Sequence, residues 1–165
     1  EYGYLLDYVD GQMMDWSVRP NMIFAAALDY SPLNSRQKKG VVDIVTKELL
    51  TPKGLRSLSP KSGGYNPNYD GPQIQRDYAS HQGTAWPWLL GFYMEAYLRI
   101  YKVSGVSFVE RYLIGMEDEM TSHCIGALPE LFDGNPPFVG RGAVSFAMNT
   151  AEILRILKLL SKYNL

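Results

Sequence analysis

The stretch Trp86-Pro87-Trp88-Leu89-Leu90-Gly91-Phe92-Tyr93-Met94-Glu95-Ala96-Tyr97-Leu98-Arg99-Ile100-Tyr101 is apolar around most of its circumference when wound as a helix. Such a helix is touched by neighbours on several sides. Met22-Ile23-Phe24-Ala25-Ala26-Ala27-Leu28, which follows Arg19-Pro20-Asn21, has the same character. Between them, a segment runs from an Asn34/Ser35 cap through Val41, Val42, Ile44, Val45, Leu49 and Leu50, with Lys38, Lys39, Lys47 and Glu48 on the other face. That segment is amphipathic and hence peripheral. A fourth helix over Ser107 to Cys124 is also amphipathic, and a fifth starts near Ser145 and carries Lys158 and Lys162 where they complement the dipole. Buried and peripheral helices alternate, as an α/α toroid requires. The expected fold class is therefore all-α, with about five helices of such a ring and loops between them.

Composition narrows the function classes. The chain has 165 residues, 16 basic and 17 acidic, and no basic run to grip a phosphate backbone. Nucleic acid is excluded as a partner on that basis. No apolar run approaches the ~20 residues of a membrane span, and no charged-then-apolar leader opens the chain. The one cysteine, Cys124, has no disulfide or metal-ligand companion and reads as a buried thiol at a helix end in a reducing, cytoplasmic setting. Glu1 is not an initiator methionine, and the sequence enters directly in an aromatic segment, which reads as a fragment. Twelve tyrosines and three tryptophans are generous for this length. Their apolar faces with hydrogen-bonding tips suit both packing and sugar sites.

Four constellations carry chemistry. Leu128-Pro129-Glu130-Leu131-Phe132-Asp133-Gly134, closed by Asn135-Pro136-Pro137, places a carboxylate in a turn-rich loop, which makes Glu130 a candidate catalytic base. A capping or loop-bracing glutamate is the plain alternative. His81-Gln82-Gly83-Thr84-Ala85-Trp86-Pro87-Trp88 gathers an imidazole, an amide and two indoles before a buried helix, the make-up of a pocket. Arg19-Pro20-Asn21 offers a fork of donors and an amide, or else an N-cap with a structural ion pair. Asp7, Asp10 and Asp15 could bind hydroxyls or cap turns. No metal spacing, phosphate loop or nucleophile elbow is present, and no cofactor is implied.

In order and spacing these motifs resemble the C-terminal part of the glucosidase domain of glycogen debranching enzymes. The resemblance rests on Val9-Asp10-Gly11, Arg19-Pro20-Asn21, Glu48 through Leu58, the Tyr-rich loop ending Arg76-Asp77, His81-Gln82-Gly83 with Trp86-Pro87-Trp88, Pro129-Glu130-Leu131 and the final apolar helix, so it covers nearly the whole chain, and residues 1–165 are expected to form the C-terminal portion of one such domain. It implies an (α/α)6 toroid, an inverting amylo-α-1,6-glucosidase with Glu130 as general base, and glycogen or a branched α-glucan as substrate. Asp10, Arg19, Asn21, His81, Gln82, Trp86 and Trp88 are then expected to bind sugar. The family's general-acid aspartate lies N-terminal to this sequence, so the chain alone is expected to be inactive and to self-associate or meet the missing half. A non-catalytic carbohydrate-binding or helical interaction module, or another six-hairpin glycosidase of trehalase type, are the alternatives.

Overall fold

The computed structural model describes residues 3–163. Among them lie seven α-helices: α1 (Met22–Ala27), α2 (Ser35–Glu48), α3 (Gln73–Gln82), α4 (Leu89–Tyr101), α5 (Val106–Glu117), α6 (Glu119–Ser122) and α7 (Ala147–Leu160). The N-terminus of α2 is written in the sequence: the Asn34 side chain accepts from the Gln37 N–H at 3.0 Å and the Gln37 side chain accepts from the Asn34 N–H at 2.9 Å. This reciprocal cap satisfies two donors that a helix start leaves orphaned. The helix then buries Val41, Val42 and Val45. Helix α4 is the centre of the core, with Leu90, Tyr93, Met94 and Ala96 fully buried, and it packs against α1, α2 and α7. Burying one leucine such as Leu90 contributes about 1.5–3 kcal/mol.

The all-α expectation is overturned by two antiparallel sheets, and the toroid reading falls with it. A hairpin pairs β1 (Val9–Asp10) with β2 (Met13–Met14). A second sheet runs β3 (Leu50–Thr51), β4 (Gly54–Arg56), β5 (Ala85–Trp86), β6 (Leu131–Phe132) and β7 (Gly140–Arg141), each strand beside its sequence neighbour. The fold is mixed α/β. Each strand is too short to show a two-residue alternation, so only the long-range pairing reveals it. Two glycines allow close backbone approach in this region: a Cβ at Gly134 would lie 2.0 Å from the Gly83 carbonyl oxygen, and one at Gly54 would lie 2.6 Å from the Trp86 carbonyl carbon.

The five expected helices are present as α1, α2, α4, α5 with α6, and α7, while α3 occupies part of what reads as a loop. Only Ala79 of α3 is buried, so the helix lacks the apolar stripe that would announce it. Cys124 is a half-buried free thiol just beyond α6 rather than a buried one. No helix among the described residues is long and apolar enough to cross a membrane.

Candidate functional site

Glu130 directly precedes β6, and β6 pairs with β7 in the register Leu131 to Arg141 and Phe132 to Gly140. Beyond that pair the hydrogen bonding between the two stretches continues at Glu130. Its N–H donates to the Ala143 carbonyl at 2.8 Å, and its Oε2 accepts from the Ala143 N–H at 2.9 Å. Gly142 makes this possible. It sits at φ +72°, and a Cβ there would lie 2.4 Å from Glu130 Oε2. A half-buried carboxylate is thereby held against main chain and opens on a cavity of about 550 Å³. That size is in the range of small-ligand sites, about 300–1,000 Å³.

The lining comes from two stretches of chain, Tyr69, Asp70, Gly71 and Arg76 on one and Glu130 with Arg141, Gly142 and Ala143 on the other. Arg76 lies over the Tyr69 ring at 6.0 Å from its centroid. The loop that carries Tyr69 is tied to the sheet by Asp133, whose Oδ1 accepts from the Tyr69 N–H at 2.8 Å while Oδ2 accepts from Arg141 Nε at 3.0 Å. Buried Asp133 therefore fixes both stretches. No sequence motif singles out Tyr69, Asp70 or Arg141; the loop that carries Tyr69 and Asp70 is marked only by its tyrosines and by Arg76-Asp77.

A second cluster gathers at the far end of α3. Arg19 donates to the Ser57 carbonyl at 3.2 Å, to the His81 carbonyl at 2.5 Å and to Gln82 Oε1 at 3.2 Å. Its Nε lies 3.7 Å from Asp7 Oδ2, and Asn21 donates to Asp7 Oδ1 at 2.7 Å. The fold thus joins Asp7, Arg19, Asn21, His81 and Gln82, which the sequence disperses. Asn21 offers no side-chain cap to α1. Since α3 carries Arg76 near its start and His81 near its end, that one helix serves both clusters. None of Arg19, Asn21, His81 and Gln82 lines the cavity beside Glu130.

Trp86 and Trp88 are half-buried and packed against the core. Trp86 donates from Nε1 to the Ser80 carbonyl at 3.0 Å, and Trp88 stacks on Phe24 at 6.0 Å and meets Phe92 edge-on. Asp10 is exposed in the β1–β2 hairpin, whose turn uses Gly11 at φ +57°. Asp15 caps a turn. Its hydrogen bonds from Ser17 hold the carboxyl below its ordinary value. Among the described residues no group of His, Cys, Asp and Glu is arranged to hold a metal ion.

Comparison with known proteins adds the family. The sequence profile described as amylo-alpha-1,6-glucosidase matches residues 1–155. A glycogen debranching enzyme of Saccharomyces cerevisiae is 31% identical over 91 residues, a match that covers 50% of this chain. The same match covers 6% of the yeast enzyme, so this chain corresponds to a small part of that much longer relative. With nearly its whole length inside the profile and a relative of the same description, the chain belongs to the amylo-alpha-1,6-glucosidase family.

Proposed function

We propose that this chain contributes the base and part of the sugar-binding surface of an α-1,6-glucosidase acting on glycogen or a related branched glucan in the cytoplasm. Glu130 is the general base: it takes the proton from the water that attacks the anomeric carbon. The observation that carries this reading is the carboxylate held by the Ala143 N–H at 2.9 Å at the edge of a 550 Å³ cavity. One oxygen is oriented by main chain. Such fixed orientation is what a base must have if the water is to be aligned with the bond it breaks.

Tyr69 and Arg76 bring a ring and donors to the same cavity as Glu130, a combination suited to a pyranose with its C–H surface and its hydroxyls. His81, Gln82, Arg19, Asn21 and Asp10 are assigned to further hydroxyls of the glucan, with Trp86 or Trp88 presenting an apolar face. Arg19, which ties the Asn21 loop to His81 and Gln82, supports treating those four as one unit. An inverting mechanism places base and acid carboxyls about 6.5–9.5 Å apart so that the water fits between them. The proposal assigns no general acid within these residues.

The test is the anomeric form of the first product. The product of the complete open reading frame encoding this chain is incubated with a branched limit dextrin and followed by proton NMR. Inversion at an α-1,6 linkage gives β-glucose first. Initial release of α-glucose, or no glucose at all, contradicts the proposal.

A further inference from the structure

Asn149, in the first turn of α7, is wholly buried, at 0% exposure. Its Nδ2 donates to the Pro129 carbonyl at 2.6 Å and to the Glu130 carbonyl at 2.9 Å. Because both neighbours are carbonyl acceptors, the end that faces them has to be the amide NH2. One residue earlier, the Leu128 carbonyl accepts from the Phe146 N–H at 2.9 Å. The first turn of α7 and the residue before it therefore hold the carbonyls of Leu128, Pro129 and Glu130, while Ala143 holds the N–H and the carboxylate of Glu130.

This arrangement costs something locally. Asn149 Oδ1 is buried and has no hydrogen-bond partner among the described residues, a desolvation cost of about 1–3 kcal/mol. A leucine or alanine there would pack without that cost. An interior amide with both donors spent on the backbone of one segment fixes where that segment lies, and here the segment ends on the reactive carboxylate.

Resting on the assignment of Glu130 as base, we infer that Asn149 is a positioning residue for it: the side-chain amide sets the height of the Glu130 backbone above the cavity, and α7 acts on the reaction through that one contact. Asn149 touches neither sugar nor water. Its loss lets the strand start drift, and a misplacement of ~1 Å costs about 10²-fold in rate.

The experiment is a double-mutant cycle in the product of the complete open reading frame, on glucose release from a branched limit dextrin, with kcat and KM measured for Asn149→Ala, Glu130→Gln and the double variant, and thermal unfolding recorded for each. Asn149→Ala is expected to lower kcat by about 10- to 100-fold with KM within about twofold, and to cost less than about twofold when Glu130 is already Gln. A residue that only supports the fold lowers activity by the same factor in both backgrounds, and that result, or a wild-type rate for Asn149→Ala, overturns the inference. If Asn149→Ala does not fold, Asn149→Asp is read by the same criteria, because it keeps the volume and turns an oxygen toward both carbonyls. A wild-type rate for Glu130→Gln alone refutes the assignment of the base instead, so the two failures are distinguishable.

Discussion

Glu130 and Ala143 are bonded twice, main chain to main chain at 2.8 Å and main chain to carboxylate at 2.9 Å. The carboxylate takes a hydrogen bond from the N–H of the residue whose carbonyl accepts from its own N–H. A charge-assisted bond of this kind is roughly twice as strong as a neutral one. It fixes the side-chain rotamer as well as the backbone, so the position of one oxygen follows from the strand pairing of β6 with β7. The sheet that the helical pattern concealed is thus the element that aims Glu130.

Gly142→Ala tests that aim directly. An L-residue at φ +72° costs about 1–2 kcal/mol, and the new Cβ would lie 2.4 Å from Glu130 Oε2 and 2.9 Å from Glu130 Cβ. The variant is expected to lose several degrees of Tm, at about 2–4 °C per kcal/mol for a chain of this size. It is also expected to lose about 10²-fold in glucose release, since the carboxylate must move aside. Thermal unfolding and initial rates check both. An unchanged rate would show that the Glu130 position is immaterial.

Asp133→Ala separates substrate binding from chemistry. Asp133 joins the Tyr69 N–H at 2.8 Å to Arg141 at 2.9 Å, so its loss frees the Tyr69 stretch of the cavity lining and removes neither hydrogen bond between Glu130 and Ala143. Stability is expected to fall by about 1–3 kcal/mol. The kinetic signature is a KM raised about tenfold or more with a smaller change in kcat, because uniform binding is what is lost. A fall in kcat at constant KM would place Asp133 in the reaction itself.

Glu48 gives a pH-dependent stability that is independent of the site. Burial pushes its carboxyl up, but the hydrogen bonds from Lys61 and Ser59 together with the charges of Lys61 and Lys47 hold it below the ordinary value of 4.5. A carboxyl whose folded-state pKa is depressed adds stability above its unfolded value, and that stability is lost as pH falls through the folded one. Glu48→Gln is therefore expected to unfold at a lower temperature than wild type at pH 7, with the difference closing below pH 4.5. A gap in Tm that stays constant down to pH 3 contradicts this.

Much of the helical framework was legible. The Asn34–Gln37 cap and the Val41, Val42, Val45 stripe specify α2, and the apolar circumference of Leu89 to Tyr101 specifies α4, because local chemistry decides both. Strands such as Ala85–Trp86 and Leu131–Phe132 have no local signature, since two residues cannot show a period, and they exist only by pairing across the chain. Helix α3 hid for the opposite reason, being polar almost throughout. At the site, Glu130 stood out through its turn-rich surroundings, but Gly142 and Asn149 act through contact alone and neither residue type at those positions announces it. Arg19 on one side and His81 with Gln82 on the other were legible as two separate motifs. Their joining through the Arg19 guanidinium was not.

Whether Glu130 is the base is decided by the initial rate at which the Glu130→Gln variant of the complete protein releases glucose from a branched limit dextrin. The amide keeps the shape of the side chain and can still accept from the Ala143 N–H, so the site is expected to keep its geometry and to bind a glucose-like iminosugar as before. Only basicity is removed. Loss of a general base costs about 10²- to 10⁴-fold, and a fall in kcat of that size at nearly unchanged KM is the expected result. Release at or near the wild-type rate would contradict the account.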